Sequence, residues 1–500
     1  MKPAPKSGKQ RSKSRRWSLS DTFYWHDYET FGVDPSRDRP VQFAGIRTDF
    51  ELNVIGQPLV IFARPANDFL PQPQACLVTG ITPQQALAVG LPESEFISQI
   101  HQELANPGTC SVGYNSLRFD DEITRYTLYR NFYDAYGREW QNGNSRWDII
   151  DMVRATYALR PDGIEWPLRE DGLPSFKLED LTAANGIGHE AAHDALSDVH
   201  ATIAVARLIK DKQPKLYDYV LQHRGKKAVL EQLDINAMKP VLHVSGMFGA
   251  QRHNIALIVP LAMHPDNRNE VICYDLSVNP QPLFDLPATS LAELLYTRAE
   301  DLPDGTQRLG LKSLHINRCP IVVTAKMANP ATAERLGISG DVCRTHLAAL
   351  RTFRQADPQG FEKKLQSVYS ARQYEPVTDP DRMLYGGGFF SGNDKRVMEQ
   401  VQAASPDELA SQSFAFEDKR LPEMLFRYRA RNFPESLTPD ELEHWEEFRF
   451  LRLTDPEAGA SICLEEFHST VETLQSQEHL SETHRQVLEQ LLDYGDSLLS

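Results

Sequence analysis

Two carboxylates one residue apart, Asp27 and Glu29, lie in the aromatic run Phe23-Tyr24-Trp25-His26-Asp27-Tyr28-Glu29-Thr30-Phe31-Gly32. Side chains alternate across a β-strand, so residues i and i+2 project together and both acids point one way. Two negative charges held side by side repel, and a folded site that keeps them adjacent calls for a cation. Hard oxygen ligands of this kind suit Mg²⁺ or Mn²⁺. Alternating acids more often face solvent on an edge strand. Here the same face carries Phe23 and Trp25, so the row begins apolar and ends acidic, as a strand does when it leaves a core and enters a site.

Two later acids meet the same need. Asp120 closes Gly113-Tyr114-Asn115-Ser116-Leu117-Arg118-Phe119-Asp120, where a glycine-started strand runs into a helix start. For an isolated Asp at such a place a helix N-cap is the favoured explanation. Asp198 stands in His193-Asp194-Ala195-Leu196-Ser197-Asp198. Asp194 is the expected cap of that helix, and Asp198 lies four residues on, about one turn along the same face. His193 falls in the loop just before, where an imidazole is free to swing. With an ordinary pKa near about 6.5, a histidine can take a proton from water at neutral pH. The order along the chain is D-x-E, then Asp, then H-x4-D.

Groups so remote in sequence need a scaffold to bring them together, and 500 residues suggest about three domains. From Asp21 to Ile209 strands alternate with helices, a mixed α/β pattern. Strands are expected over Phe23 to Glu29, Gln42 to Thr48, Val54 to Phe62 and Cys110 to Tyr114. Helices are expected over Glu93 to Leu104, Asp121 to Tyr129 and Ala195 to Ile209. A β-rich barrel or sandwich is expected next, with strands at Val241 to Ser245, Ile255 to Ala262, Val271 to Leu276 and Ile321 to Thr324. Beyond Gly386-Gly387-Gly388 the pattern is helical, with helix starts at Thr438 and Ser481. The division reads as a basic disordered tail over 1–20, then 21–210, 211–370 and 371–500.

Composition narrows the classes. With 41% hydrophobic and 24% charged residues the chain is an ordinary soluble globular protein, and no apolar run has membrane-spanning length. The basic N-terminus has no apolar signal segment, so a cytoplasmic location is expected. Six cysteines lie far apart without a C-x-x-C pair, which argues for reduced thiols and against zinc binding by cysteine. The net charge of -16 argues, taken alone, against a nucleic-acid partner. Its distribution matters more: Lys2, Lys6, Lys9, Arg11, Lys13, Arg15 and Arg16 crowd the first 20 residues, and the run Arg427-Tyr428-Arg429-Ala430-Arg431 follows Lys419-Arg420 near the other end. A solvated helix face is the plain reading of that second run.

The catalytic spacing resembles the DEDD superfamily of 3′-to-5′ exonucleases in its histidine-bearing branch, and more narrowly the bacterial exonuclease I family. The likeness extends through Asn144-Ser145-Arg146-Trp147-Asp148, Gly172-Leu173-Pro174-Ser175-Phe176, His243-Val244-Ser245-Gly246-Met247-Phe248-Gly249 and Tyr428-Arg429-Ala430-Arg431-Asn432-Phe433-Pro434. It implies a ribonuclease H-like exonuclease domain, an SH3-like domain and a helical C-terminal domain. It implies metal binding by Asp27, Glu29, Asp120 and Asp198, two Mg²⁺ ions per site with Mn²⁺ as the alternative, and His193 as general base. The activity implied is processive release of 5′-mononucleotides from single-stranded DNA, in repair and recombination.

Substrate contacts follow from the same resemblance. Glu29, Arg125, Tyr136, Trp140 and Arg154 match positions that touch the strand, within a segment whose aromatic and basic residues suit base stacking and phosphate binding. Lys177 stands where the best-known relative carries arginine, keeping the charge without the bidentate fork. Lys239 is a candidate contact for the acidic tail of single-stranded-DNA-binding protein, and a monomer is expected. RNA trimming on the same fold, a metal-dependent phosphatase and an inactive nucleic-acid-binding scaffold are the rival readings.

Overall fold

Aromatic and β-branched residues favour a pleated surface buried on both sides, and such a run forms the middle strand of a five-stranded sheet in the computed structural model of the chain. Residues 21–189, 193–303, 305–306, 308–372 and 376–499 are described; the expected basic tail over 1–20 lies outside them. The strands are β1 (Thr22–Thr30), β2 (Pro40–Thr48), β3 (Val54–Phe62), β4 (Thr109–Gly113) and β5 (Ser145–Asp148), in the order β3-β2-β1-β4-β5. β1, β2 and β3 pair antiparallel, while β4 and β5 join β1 in parallel, giving a mixed sheet.

Both faces of β1 are covered. Tyr24 and Tyr28 pack with Phe43, with Phe96, Ile97 and Ile100 of helix α1 (Glu93–Ala105), and with Ile123 and Leu128 of α2 (Asp120–Arg130). Phe23 and Trp25 face the other way, into a cluster with Ala195, Val199, Ala201 and Ile203. These belong to helix α5 (Ala195–Lys212), which lies against β1 and β2 and follows α3 (Ile149–Leu159) and α4 (Leu178–Ala184). Alanines let that helix approach the sheet closely, and the buried Trp25 Nε1–H donates to Thr48 Oγ1 at 2.8 Å. The helix runs beyond the expected Ile209 to Lys212, where Lys210 and Lys212 complement the negative end of its dipole.

A second, all-antiparallel sheet contains β6 (Val241–Val244), β7 (Ile255–Met263), β8 (Glu270–Asp275), β9 (Leu311–His315) and β10 (Ile321–Thr324), ordered β10-β6-β7-β8-β9. β9 was not expected from sequence: Leu-Lys-Ser-Leu-His holds only two apolar residues, and pairing with β8 supplies the rest. Leu242 and Val244 stand opposite Val323 and Ile321, and all four join the same apolar cluster as Trp25, Ala158 and Leu159. The two sheets therefore share one core.

The helical remainder also packs on the first domain. Helix α7 (Pro439–Thr454) opens with a capping box between Thr438 and Glu441; α9 (Glu482–Ser497) opens at Ser481. With α8 (Leu464–Gln475) they bury Leu453, Phe467, Leu488 and Leu491 against Phe31, Val41, Phe69 and Cys76. The basic run over α6 (Leu421–Asn432) is not a solvated face. Arg420, Arg427 and Arg429 are buried, and only Lys419 stays exposed. Arg431 binds Asp68 of the first domain at 2.8 Å and Asp381 at 2.8 Å, while Arg427 binds Asp379 at 2.6 Å. Arg429 forks onto both oxygens of Glu441 at 2.7 and 3.0 Å. Arg431 thereby clasps the helical part to the first domain, while Arg427 and Arg429 brace the helical part itself.

Candidate active site

β1 delivers Asp27 and Glu29 from one face, and the first turn of α5 delivers Asp198. One carboxylate oxygen from each lies within 4.8 Å of the others. Asp194 does cap that helix: its Oδ1 accepts from Ser197 N–H at 3.0 Å, and its carbonyl accepts from Asp198 N–H at 3.0 Å. Asp120 is not a cap. It is the first residue inside α2, and its Oδ1 accepts the Tyr28 N–H at 3.1 Å, between the two acids of β1. That donor is available because the parallel pairing of β1 with β4 ends at Trp25.

The four acids strain one another. Burial, then the charges of Asp120, Glu29, Asp198 and Asp194, pushes Asp27 well above the usual carboxylate range. Burial followed by Asp198 and Asp120 raises Glu29 to about 8. Asp120 is lifted to about 8, by burial first and by Asp121 and Asp148 after it, with backbone N–H groups pulling it back. Asp198 is raised by burial against the opposing pull of His189. An all-oxygen set that cannot hold its charges unaided fits a hard divalent cation.

The acidic triplet Asp120-Asp121-Glu122 sends each side chain to a different partner. Asp121 turns away from the site, accepting from Arg138 at 2.6 Å and Arg146 at 2.7 Å in a buried triad. Glu122 meets Arg125 at 2.6 Å. Asp148 caps α3 and accepts the N–H groups of Asn115 at 2.8 Å and Leu117 at 3.2 Å. It thereby fixes the loop that enters α2 and aims Asp120. The segment Asn144 to Asp148 thus serves as a scaffold for the third acid.

His193 sits at the rim, exposed, with a left-handed backbone at φ 65°. Its backbone N–H hydrogen-bonds the Asp198 carboxylate, and its ring acts electrostatically on the same group. A second histidine escaped the sequence reading. His189 Nε2 lies 2.5 Å from Asp198 Oδ1, with Thr182 Oγ1 3.2 Å behind its Nδ1. The signal available was an extra imidazole four residues ahead of His193, and nothing in its spacing tied it to Asp198.

The expected strand contacts divide into free and committed groups. Lys177 stands at the N-cap of α4 with its side chain 72% exposed, and Trp140 is 66% exposed. Arg125 is buried and engaged: Glu139 takes it at 2.7 and 2.9 Å, Glu122 at 2.6 Å and Tyr385 Oη at 3.0 Å, so it is not a free cation. Its guanidinium lies 5.5 Å over the ring of Tyr136, which it braces. Arg154 pairs with Asp151 at 2.8 Å and lies over Gly246, where a Cβ would come within 3.1 Å of its Cζ. A side chain at Gly246 would therefore press on the Arg154 guanidinium. Lys239 is exposed on the second domain.

Comparison with known proteins yields three family models in order along the chain. "Exonuclease" matches residues 24–206, "Exonuclease I SH3-like domain" residues 224–371, and "Exonuclease I C-terminal domain" residues 378–498. Exodeoxyribonuclease I of Escherichia coli is 50% identical over 428 residues, 86% of this chain and 89% of the relative. A structure of a moderately thermophilic exonuclease I from Methylocaldum szegediense matches with TM-score 0.91 and 51% identity, over 96% of this chain and 100% of that one. A structure of E. coli exonuclease I in complex with a dA16 oligonucleotide matches with TM-score 0.91 and 46% identity over the same shares. A zinc-bound form of the E. coli enzyme with single-stranded DNA is also similar. Carrying all three domain types in sequence and 50% identical to the E. coli relative over 428 residues, the chain belongs to the exonuclease I family of exodeoxyribonucleases.

Proposed function

We propose that the chain removes 5′-mononucleotides one after another from the 3′ end of single-stranded DNA, with His193 as general base. The observation that carries this reading is the convergence of Asp27, Glu29 and Asp198 at one point, with Asp120 held beside them through Tyr28 and His193 at the rim. The four acids would hold two Mg²⁺ ions, with Mn²⁺ as the alternative. Bound divalent ions supply positive charge for the attacking and leaving oxygens of an in-line displacement.

The remaining work falls to side chains. His193 takes the proton of the attacking water; water oxygen bonds to phosphorus as the bond to the 3′ oxygen of the penultimate nucleotide breaks. Glu29 also faces the terminal nucleotide. Lys177 meets a phosphate, Trp140 and Tyr136 offer faces for bases, and Arg125 and Arg154 border that path. The SH3-like and helical domains flank the strand and slow its departure, which favours processive digestion. Lys239 is proposed to meet the acidic tail of single-stranded-DNA-binding protein, and a cytoplasmic monomer acting in repair and recombination completes the reading. Domain boundaries near residues 210 and 370 belong to the same proposal.

Mononucleotide release from single-stranded DNA, duplex DNA and RNA, with and without Mg²⁺, tests the proposal. Release from single strands alone, and only with the metal, is the expected result; equal release from RNA favours the trimming alternative. His193→Ala is expected to lower turnover by about 10²- to 10⁴-fold while leaving oligonucleotide binding intact. Unchanged turnover removes His193 from the mechanism.

A further inference from the structure

Gln42 lies on β2 directly across from Glu29 and is 4% exposed. Residues opposed in an antiparallel pair share a face, so its amide stands on the side of the sheet that carries the acids. Its Oε1 accepts the Ala195 N–H at 3.3 Å, and its Nε2 donates to Asp194 Oδ2 at 3.4 Å. The Ala195 N–H is one of the first-turn donors that a helix leaves without an internal partner. Such donors are usually met from the residues just before the helix; this one is met from another strand, 153 residues away in sequence. The amide therefore joins the strand next to Glu29 to the point where the His193 loop enters α5.

We propose that Gln42 is a positioning residue for the reaction, setting the place of His193 relative to the acids of β1. This rests on His193 being the general base. Asp198 has anchors of its own, the helix bond to the Asp194 carbonyl and the contact with His189. His193 is tied to the Asp198 carboxylate through its backbone N–H, which leaves the ring unheld; its backbone occupies a region that L-residues enter at a cost, and its neighbours 194 and 195 are what Gln42 holds. Releasing them lets the imidazole drift while the carboxylates stay. A displacement of about 1 Å from a productive position can cost about 10²-fold in rate.

Gln42→Met keeps the length and volume of the side chain and removes both contacts. In the full-length protein with Mg²⁺, it is expected to lower kcat by about 10- to 100-fold. KM for a single-stranded oligonucleotide and the Mg²⁺ concentration for half-maximal rate are expected to stay within about twofold, a split that a merely structural role does not produce. Placed on His193→Ala, the same change is expected to alter the residual single-turnover rate by less than about twofold, because the group it positions is gone. The proposal is overturned by a kcat loss under about threefold, by KM or Mg²⁺ requirement moving as far as kcat, or by a full additional loss on the His193→Ala background. Gln42→Asn, one methylene too short to span the gap, takes its place if the Met variant does not fold. Full turnover in His193→Ala alone is a separate result that removes the base assignment and not the contact.

Discussion

Asp27 stores the cost of the site in a single side chain. A carboxyl whose folded pKa is raised opposes folding once pH exceeds its unfolded value near about 4, and the opposition is complete above the folded value. Asp27 is displaced well upward and Glu29 to about 8, so the metal-free protein loses stability between about pH 4 and pH 8. Asp27→Asn is expected to raise the thermal midpoint of the metal-free protein by a few degrees at pH 8 and by little at pH 5, while abolishing turnover. Thermal melts in chelator at both pH values check this; an equal gain at both ends it. Mg²⁺ has to displace the same protons, so its stabilising effect is expected to be larger at pH 8 than at pH 6. Lys177 offers a test in the opposite direction. Its side chain is exposed and only 3.6 Å from Glu179, so Lys177→Arg is expected to lower KM for single-stranded DNA about two- to fivefold at constant kcat.

Elements aim these residues through few bonds, and some were legible in the sequence. The alternation of Phe23, Trp25, Asp27 and Glu29 revealed β1 and its direction because period-two patterning is local. Both helix starts at Thr438 and Ser481 were legible for the same reason. β9 was not, since its stability comes from a neighbour. For Asp120 a cap stayed open beside the metal role implied by resemblance, because sequence shows the acid before the helix but not the Tyr28 N–H left open by the end of a strand pairing. His189 and the arginine clasp were hidden similarly: Arg431 and Asp68 are 363 positions apart, and composition shows a charge without its partner. Asp148 governs Asp120 at this scale. Asp148→Ala strands the buried Leu117 N–H and leaves the Asn115 N–H unmet, so a loss of about 2–4 kcal/mol is expected. Urea unfolding measures it, and turnover is expected to fall further than stability alone explains.

Across the whole molecule, acidic and basic groups are sorted by burial. Asp68 would be raised by burial, but Arg431 and Arg452 outweigh that and hold it at about 2. Removing Arg431 from so enclosed a network leaves Asp68 to the longer Arg452 contact at 3.6 Å and Asp381 to Arg427 at 3.2 Å, and Arg431→Leu is expected to cost about 3–5 kcal/mol. The exposed pair Arg344 with Asp341 is the control, where Arg344→Leu is expected to change stability by less than about 1 kcal/mol. Denaturant midpoints of the two variants decide between a clasp and an incidental pairing. The core shared by the two sheets has a practical outcome for protein engineers. A gene fragment stopped near residue 210 would leave Leu159 and its neighbours facing water where Leu242, Val244, Ile321 and Val323 had covered them. A minimal nuclease cut from this chain would clump in storage unless that face were first redesigned with polar residues.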